Sequence, residues 1–385
     1  MLKIAIVAVG YNRPDSMQNL LNSLVNAEYK NDKVDLVVSI DKGERQAEIV
    51  SVANSIQWKY GEKILHIFSE RQGLRKHILQ CGDLTKIYDA VIVFEDDIIA
   101  AKYFYSYVKQ ALTKYGGNNR IAGISLYCHQ MHPGVCRPFE PANNGFDAYL
   151  HQFAMSWGQC WTRGMWNEFR KWYEFNEEKD LSDGSILPDY IVRWNKQSWL
   201  KYYMRYTVEM DKFFVYPYFA LSTNASDAGE HCRIANNDFQ IALQDGDRVY
   251  NFPEIEDSVR YDVFFERMGV ENQIFPELKG RIALDLYGNR SNWEDYDYLI
   301  STRKLPYRII CEMGLRYRPI EQNCITPTEG KGIFLYDLNI TSARPRGYSN
   351  ILTRYDIRSI HWKRLLRLGW SGLIDAIMSR LLKGY

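Results

Sequence analysis

The chain has 385 residues, and its 48 basic and 47 acidic residues nearly cancel to a formal charge of +1. This balance disfavours a nucleic-acid-binding protein, and no apolar run approaches the roughly 20 residues that span a bilayer. Seven cysteines without CxxC or zinc-like spacing indicate free thiols in a reducing compartment. The apolar run at the N-terminus is too short for a signal peptide, so we expect a cytoplasmic protein.

Strand and helix patterns alternate over the first 125 residues. Runs rich in β-formers predict five strands, at 3–9, 34–41, 63–70, 89–96 and 121–125. Helical patterns follow at 12–27, in the polar segment that ends at Tyr60, from 73 and at 103–115. This alternation predicts an α/β fold with an open, mostly parallel sheet flanked by helices. From about Leu126 the chain becomes aromatic-rich and irregular.

The fourth strand runs directly into three carboxylates, in "DAVIVFEDDIIAAKYF" from Asp89 to Phe104. Charges of one sign at the end of a buried strand repel each other and resist burial. A divalent cation bound there would offset the repulsion, and the alternative is a solvated turn. Polar residues 12–15 and Asp41 follow two other strands, so all three groups are expected at one edge of the sheet, where such sheets bind ligands.

The chain has no GxGxxG after the first strand and no Walker lysine loop, which disfavours a dinucleotide fold and a P-loop. An acidic strand end in an open sheet, followed by an aromatic second half, instead indicates an enzyme that uses nucleotide sugars. The leaving diphosphate of such a donor needs its charge neutralised. Mg²⁺ or Mn²⁺ held by one or two carboxylates does this.

The segment "VFEDDIIAAKYF" resembles the metal-binding segment of the GT-A glycosyltransferases. The resemblance is to the EDD-motif branch, which includes N-acetylglucosaminyltransferase I and bacterial family-two-like glycosyltransferases. Further segments resemble the family in the same order, over residues 1 to about 240: "VGYNRPDSM", "SIDKGE", "SWGQCWTRGMWNEF" and "STNASDAGEHC". The last third of the chain resembles no family.

This resemblance implies a GT-A-like fold and roles for individual residues. Asp97 would bind the metal, and Glu95 and Asp96 would contact the nucleotide sugar. Arg13 and Asp41 would lie around the base and the ribose. Two further positions have alternatives. Arg75 would contact phosphate or nucleotide, or be a solvated helix residue, and His231 would complete the metal site or touch the diphosphate, or be structural.

The segment "SWGQCWTRGMW" has two interpretations. Its tryptophans are four and five residues apart, which suits one buried flank of a helix. We favour a loop under the donor sugar, at 156–158, because Gly158 beside Trp157 lets the backbone approach a sugar ring closely.

The chain departs from the family where a catalytic base is expected. In the resembling Golgi enzyme an Asp follows the Trp of the "SW" element, but this chain has Leu200 there, and leucine cannot accept a proton. An inverting displacement normally needs a base near the acceptor hydroxyl. Asp189 is our candidate, and Glu209 and Asp211 are weaker alternatives.

We therefore predict a metal-dependent glycosyltransferase that moves a sugar from a nucleotide-diphosphate donor to a glycan or lipid-linked acceptor, in surface polysaccharide synthesis. The expected organisation is a nucleotide-sugar-binding half at 1–125, an acceptor and catalytic half of the same domain at 126–245, an extension of unassigned role at 246–358, and a terminal helix at 359–385. A sugar nucleotidyltransferase and a non-catalytic glycan-binding relative are the alternatives.

The C-terminal segment predicts a basic amphipathic helix. Apolar residues recur at three- and four-residue steps: Trp362, Leu365, Leu366, Trp370, Leu373, Ile374, Ile377 and Leu381. Five basic residues accompany them, against Asp375 alone: Lys363, Arg364, Arg367, Arg380 and Lys383. Such a helix can lie in a membrane interface, which would place the protein peripherally at the inner face of the cell membrane. A helix packed on the domain or in a dimer is the alternative.

Overall fold

The computed structural model describes residues 2–179, 181, 186–225, 237–271, 273–347, 349–357 and 361–382. The chain divides into two compact units. The larger comprises Met1–Ala225, Phe239–Gly269 and Asn289–Glu294, and the smaller comprises Ser226–Asp238, Val270–Gly288 and Asp295–Tyr385. Residues 246–269 of the predicted extension therefore lie in the larger unit.

The larger unit contains thirteen described strands and seven described helices. The strands are β1 (Ile4–Gly10), β2 (Val34–Ile40), β3 (Lys63–Ile67), β4 (Ala90–Glu95), β5 (Ile98–Ala100), β6 (Ile121–Ser125), β7 (Met131–His132), β8 (Arg137–Pro138), β9 (Ala148–His151), β10 (Gln159–Thr162), β11 (Phe213–Pro217), β12 (Ser222–Asn224) and β13 (Arg260–Tyr261). The helices are α1 (Pro14–Val25), α2 (Gln46–Ser55), α3 (Leu74–Asp83), α4 (Phe104–Tyr115), α5 (Arg163–Glu174), α6 (Asp189–Val192) and α7 (Trp199–Glu209).

Nine of these strands form one sheet, in the order β13-β9-β11-β6-β10-β4-β1-β2-β3. The pairs β4–β1, β1–β2 and β2–β3 are parallel, as are β6–β11 and β9–β13. Strand β10 runs antiparallel to both of its neighbours, β4 and β6. The predicted α/β class, with a mostly parallel sheet flanked by helices, is confirmed, and so are the five strands predicted in the first 125 residues.

The core explains why this half of the sequence folds as it does. Every residue of β1 and β2 is buried, as expected for continuous apolar strands with helices on both faces. Helix α1 covers them with Met17, Leu20, Leu21 and Leu24, all fully buried. The register pairs Val9 with Glu95 and Gly10 with Ile40, so β1, β2 and β4 end at the same level. The loops that follow them share one edge of the sheet.

The smaller unit is built on a four-stranded sheet, in the order β14-β15-β17-β16. Its strands are β14 (Ile282–Asp285), β15 (Tyr298–Ser301), β16 (Tyr307–Gly314) and β17 (Gly332–Thr341), and its helices are α8 (Gln322–Ile325), α9 (Ile351–Ile357) and α10 (Trp362–Leu382). None of the helices described, α10 included, has the length and apolar character needed to cross a bilayer.

Candidate functional site

The acidic turn lies at the carboxyl end of β4. The strand ends at Glu95, and the chain turns through Asp96 and Asp97 into β5, which pairs with β12. The backbone of the turn is fixed from the far side, because the carbonyl of Asp97 accepts a hydrogen bond from the Ala225 N–H at 2.7 Å. Three carboxylates thus lie on a short turn that joins β4, which pairs with β1, to β5, which pairs with β12.

Arg13, from the loop between β1 and α1, brings a positive charge into this turn. Its guanidinium forms an ion pair with Asp96 and donates to Asp97 Oδ2 at 3.3 Å. The backbone N–H of Tyr11 donates to the other Asp96 oxygen at 3.1 Å. The first and fourth strands are therefore linked at their ends by a charged, partly buried network, and the predicted convergence of Arg13 with the acidic turn is present.

The electrostatics of the turn are those of a crowded anionic site. Burial raises the pKa of Glu95 to about 8, helped by the charges of Asp97 and Asp96. Burial also raises the pKa of Asp96 to about 7, although Arg13 opposes the shift. Burial alone would lower the pKa of Arg13, but the charges of Asp96 and Asp97 overcome it and raise that pKa. One arginine is too little positive charge for three neighbouring carboxylates.

One oxygen of the acidic turn is left over. Asp97 Oδ1 is buried and has no hydrogen-bond partner. A buried carboxylate oxygen without a partner is costly, and a cation would satisfy it. No group of three or more His, Cys, Asp or Glu side chains within the described ranges is arranged to hold a metal ion. A cation at this turn would therefore need ligands besides the described His, Cys, Asp and Glu side chains.

Asp41, just beyond β2, organises the neighbouring loop. Its carboxylate accepts backbone N–H groups from Lys42 at 2.8 Å, Gln72 at 2.7 Å and Gly73 at 3.0 Å. A carboxylate has about four acceptor positions, so these bonds leave room for roughly one more donor. Arg71 lies 4.0 Å away. The main role of Asp41 is thus structural: its carboxylate holds the loop that follows β3 against the end of β2.

Two residues at this edge were missed by the sequence reasoning. The guanidinium of Arg71 stacks on the ring of Tyr11, with 3.8 Å from its central carbon to the ring centroid. Tyr11 and Arg71 each follow a strand closely, in "VGYNRPD" and "SERQG". Gly43 allows this packing, since a Cβ there would lie 2.1 Å from Asn12 Oδ1 and 2.7 Å from the Tyr11 ring. Both residues could have been predicted for this site, because each is an aromatic or basic residue that directly follows a predicted strand.

The segment at 156–158 is a loop, as favoured from the sequence. Because β10 is antiparallel to β4 and β6, the residues that precede it lie at the same edge as the acidic turn. Gly158 has φ +90°, and a Cβ there would meet Ser222 Oγ at 2.9 Å. The Trp157 ring packs edge-on against Tyr127, with 4.8 Å between centroids.

The other tryptophans of that segment are core residues. Trp161 and Trp166 are fully buried, with ring centroids 4.6 Å apart, and both pack against Tyr203 of α7. The interpretation as one buried flank of a helix is therefore wrong, because Trp157 lies in the loop, Trp161 on strand β10 and Trp166 on helix α5.

Arg75 lies on α3 and bonds to other elements of the larger unit. Its guanidinium donates to the Tyr173 hydroxyl at 2.5 Å, to the Glu177 carbonyl at 2.9 Å and to the Lys196 carbonyl at 3.3 Å. It also stacks on Tyr202 at 4.2 Å. These contacts attach α3 to the segments around α5 and α7. The structure does not bring Arg75 to the carboxylates of the acidic turn.

Asp189 begins the short helix α6, and its carboxylate accepts a hydrogen bond from Ser291 Oγ at 2.9 Å. The neighbouring Tyr190 packs against the β7–β8 hairpin, where a Cβ at Gly134 would meet its ring at 2.3 Å. That hairpin follows the carboxyl end of β6. The residue next to Asp189 therefore packs on a hairpin that follows a strand end at this edge of the sheet, while the Asp189 carboxylate itself bonds to Ser291.

The weaker base candidates lie elsewhere. Asp211 pairs with Arg120, and these residues precede the parallel strands β11 and β6, at the opposite edge from the acidic turn. Glu209, the last residue of α7, pairs with Arg205 at 2.6 Å and accepts from the Trp172 indole. Leu200 lies in the first turn of α7. Glu209 and Asp211 are thus held in ion pairs, and Asp189 as the catalytic base stays a prediction.

His231 lies outside the described residues, so its predicted part in the metal site stays a prediction. The chain is described as far as Ala225, which bonds to the backbone of Asp97, and again from Asn237.

No family model and no curated protein matches this chain. Similar solved structures include S. aureus TarS 1–349, which is 12% identical over 57% of this chain and 60% of that chain, with a TM-score of 0.37. The same protein in complex with UDP-GlcNAc is 13% identical, over 60% of each chain, with a TM-score of 0.39. The chain thus spans about 60% of the length of these TarS structures.

A third similar structure is the mannosyltransferase PcManGT from Pyrobaculum calidifontis, in complex with GDP-Man and Mn²⁺. It is 12% identical over 43% of this chain and 46% of that chain, with a TM-score of 0.32. Identities this low and TM-scores below 0.5 say nothing about what this chain binds.

Proposed function

We propose that this protein is a glycosyltransferase of the GT-A type, which moves a sugar from a nucleoside-diphosphate donor to a glycan or lipid-linked acceptor. The observation that carries the proposal is the acidic turn at the carboxyl end of β4, with Arg13 across it and a buried, unpartnered oxygen on Asp97. The Asp41 loop and the Trp157 loop at the same edge would form the walls of the donor site.

A divalent cation fits this turn. With all three carboxylates ionised, they and the guanidinium carry a formal charge of −2, which one Mn²⁺ or Mg²⁺ would balance. A bound cation would favour this ionised state, whereas the raised pKa values of Glu95 and Asp96 favour partial protonation without it. Asp97 would bind the ion through its free oxygen, with His231 as a further ligand. Such ions commonly use one or two protein carboxylates and take their remaining ligands from phosphates and water. When bound, the cation would neutralise the charge that develops on the leaving diphosphate.

The residues around the turn would hold and orient the donor. Glu95 and Asp96 would accept hydrogen bonds from sugar or ribose hydroxyls, and Arg13 would balance their charge. The Tyr11–Arg71 stack offers a flat face beside the Asp41 loop, which suits a nucleotide base. Arg75 would act from a distance, by fixing α3 behind that loop.

The acceptor would enter beside Trp157, whose side chain is partly exposed, while Gly158 is buried against Phe94 and Ser222 and would fix the shape of the loop. Asp189 would take the proton of the acceptor hydroxyl. Two observations favour Asp189 for this role. The neighbouring Tyr190 packs on the β7–β8 hairpin, and the alternatives Glu209 and Asp211 lie in ion pairs away from this edge. The proposed role is surface polysaccharide synthesis. The proposed location is the cytoplasm, with which the free cysteines among the described residues agree.

Donor hydrolysis and transfer test the proposal. Purified protein is incubated with Mn²⁺ and a panel of UDP-, GDP- and dTDP-sugars, and the released nucleotides are separated by ion exchange. We expect release of nucleoside diphosphate and its loss in Asp97→Asn. The matched control is Asp245→Asn, an exposed carboxylate with no ion pair described. A second incubation supplies nucleoside triphosphate and sugar 1-phosphate, and release of pyrophosphate there would identify a nucleotidyltransferase instead. Absence of both hydrolysis and calorimetric donor binding would leave a glycan-binding protein.

A further inference from the structure

The charges of this chain are concentrated at its C-terminal end. Residues 342–385 contain nine basic and two acidic residues, a net charge of +7. Since the whole chain carries +1, residues 1–341 carry −6. Positive charges gathered in the last 44 residues repel one another, which costs free energy. An anionic partner would offset this repulsion, so the segregation of charge indicates such a partner.

Helix α9 is attached to the smaller unit. The Tyr355 hydroxyl donates to the Tyr317 carbonyl at 2.6 Å, and the guanidinium of Arg318 lies over the Tyr355 ring at 4.4 Å. A Cβ at Gly332, the first residue of β17, would meet Ile351 at 3.3 Å. The chain is therefore anchored a few residues before α10 begins.

Helix α10 leaves its apolar residues in solvent. Every side chain described on this helix, from Lys363 to Ile374 and from Ala376 to Met378, is exposed. Leu366 is 64% exposed, Trp370 67% and Ile377 49%, although such side chains are normally covered. With Leu373 they follow steps of four, three and four residues, so they form one stripe along the helix.

We propose that α10 lies flat on an anionic lipid surface and holds the protein there. Its apolar stripe would sink into the boundary between headgroups and acyl chains, and Lys363, Arg364 and Arg367 would meet anionic headgroups. At 21 residues the helix is about 30 Å long, which is enough for several lipids to contact it at once.

Charge and apolarity together select this partner. Nucleic acid would bind the positive charges but leave the stripe of Leu366 and Trp370 uncovered. A second copy of the chain would cover the stripe but bring two segments of +7 together. An anionic bilayer satisfies both features. This inference does not depend on the transferase proposal, because it rests on the charge of residues 342–385 and on the exposed side chains of α10, none of which is placed in the donor site.

Vesicle flotation with the full chain tests the inference. Vesicles of phosphatidylcholine with about a third phosphatidylglycerol are compared with pure phosphatidylcholine. We expect the protein to float with the anionic vesicles and to be released as salt is raised. Reversing three charges, in Lys363→Glu/Arg364→Glu/Arg367→Glu, should lower the partition coefficient by at least on the order of 100-fold. The loss of three basic residues accounts for that much, at about fivefold each, and repulsion of the three new carboxylates adds to it.

The matched control reverses three exposed lysines elsewhere, in Lys33→Glu/Lys76→Glu/Lys331→Glu, which changes the net charge equally. We expect this control to float like the wild type. Trp370→Ser/Leu366→Ser should also lose binding without a change in circular dichroism. Equal loss in the control would reduce the effect to net charge and overturn the inference. A second result would also overturn the inference: the wild type does not float and is a dimer, whereas the Trp370→Ser/Leu366→Ser variant is a monomer. That result would identify a dimer interface.

Discussion

Replacing Arg13 with methionine tests whether the acidic turn needs a cation. Methionine keeps much of the aliphatic stem of Arg13 and removes the charge that faces Asp96 and Asp97. For charges 3.3 Å apart, Coulomb's law gives about 5 kcal/mol at an effective dielectric constant of about 20. Removing one partner of a fully buried pair costs about 3–5 kcal/mol. Because the Arg13 side chain is 24% exposed, we expect about 2–3 kcal/mol for Arg13→Met.

The assay is thermal unfolding with and without Mn²⁺, followed by calorimetric titration of Mn²⁺ without nucleotide. Arg13→Met should lower the Tm by roughly 3–6 °C, and Mn²⁺ should recover most of this loss, because a bound ion stabilises the native state by mass action. Calorimetry should show tighter Mn²⁺ binding than in the wild type, since the competing guanidinium is gone.

The control is Arg45→Met, which breaks a salt bridge to Glu48 on the surface. Its Tm should match the wild type and should not respond differently to Mn²⁺. Our reasoning about the turn fails if Arg13→Met melts like the wild type. It fails equally if the variant is destabilised but Mn²⁺ neither binds to it nor raises its Tm, because Arg13 would then be only a structural counterion.

Four further predictions concern single residues. Asp97→Asn should abolish Mn²⁺-stimulated turnover without lowering the Tm, and near wild-type turnover would remove Asp97 from the metal site. Asp189→Asn should slow transfer by about 10²–10⁴-fold with donor affinity retained by calorimetry, and normal transfer would exclude it as the base. Gly158→Ala should cost about 1–3 kcal/mol in urea unfolding, from its φ of +90° and the contact with Ser222. His129, whose ring nitrogens are buried without partners, has its pKa lowered to about 3 by burial and by the charge of His132. As the pH falls, the unfolded state therefore takes up a proton on His129 before the native state does, and stability decreases below about pH 6.5. His129→Phe should recover about 2 kcal/mol of this loss at pH 5. An unchanged pH dependence of unfolding in the variant would contradict this.

The first half of the fold was predictable because its strands are continuous apolar runs. Residues 34–40 and 90–95 are mostly apolar and rich in Val and Ile, and polar residues follow each run, where the strand has to end. Because parallel strands of similar length end together, the same pattern also predicts which polar residues meet. This is why Arg13 and the acidic turn could be placed at one edge from the sequence alone.

The rest depended on contacts between distant residues. Asp41 acts through N–H groups 31 and 32 residues further along the chain, and no local pattern encodes that loop. The smaller sheet was missed because its strands lie in a Tyr- and Arg-rich stretch with weak periodicity. The pairing of β16 with β17 is also interrupted by two register shifts, which spoil the alternation that marks a strand.

The position of β10 has a consequence for how the chain folds as it is synthesised. In the large sheet, β10 alone joins β4 to β6, and it is the last of the three to leave the ribosome. Between Glu95 and Thr162 lie about 67 residues, which at roughly 5–20 residues per second take about 3–13 s to translate. During that time β4 has an unpaired edge, which is a template for aggregation. Slow synthesis before Thr162, or a lack of chaperones at that stage, should therefore lower the yield of soluble protein more than slow synthesis after it.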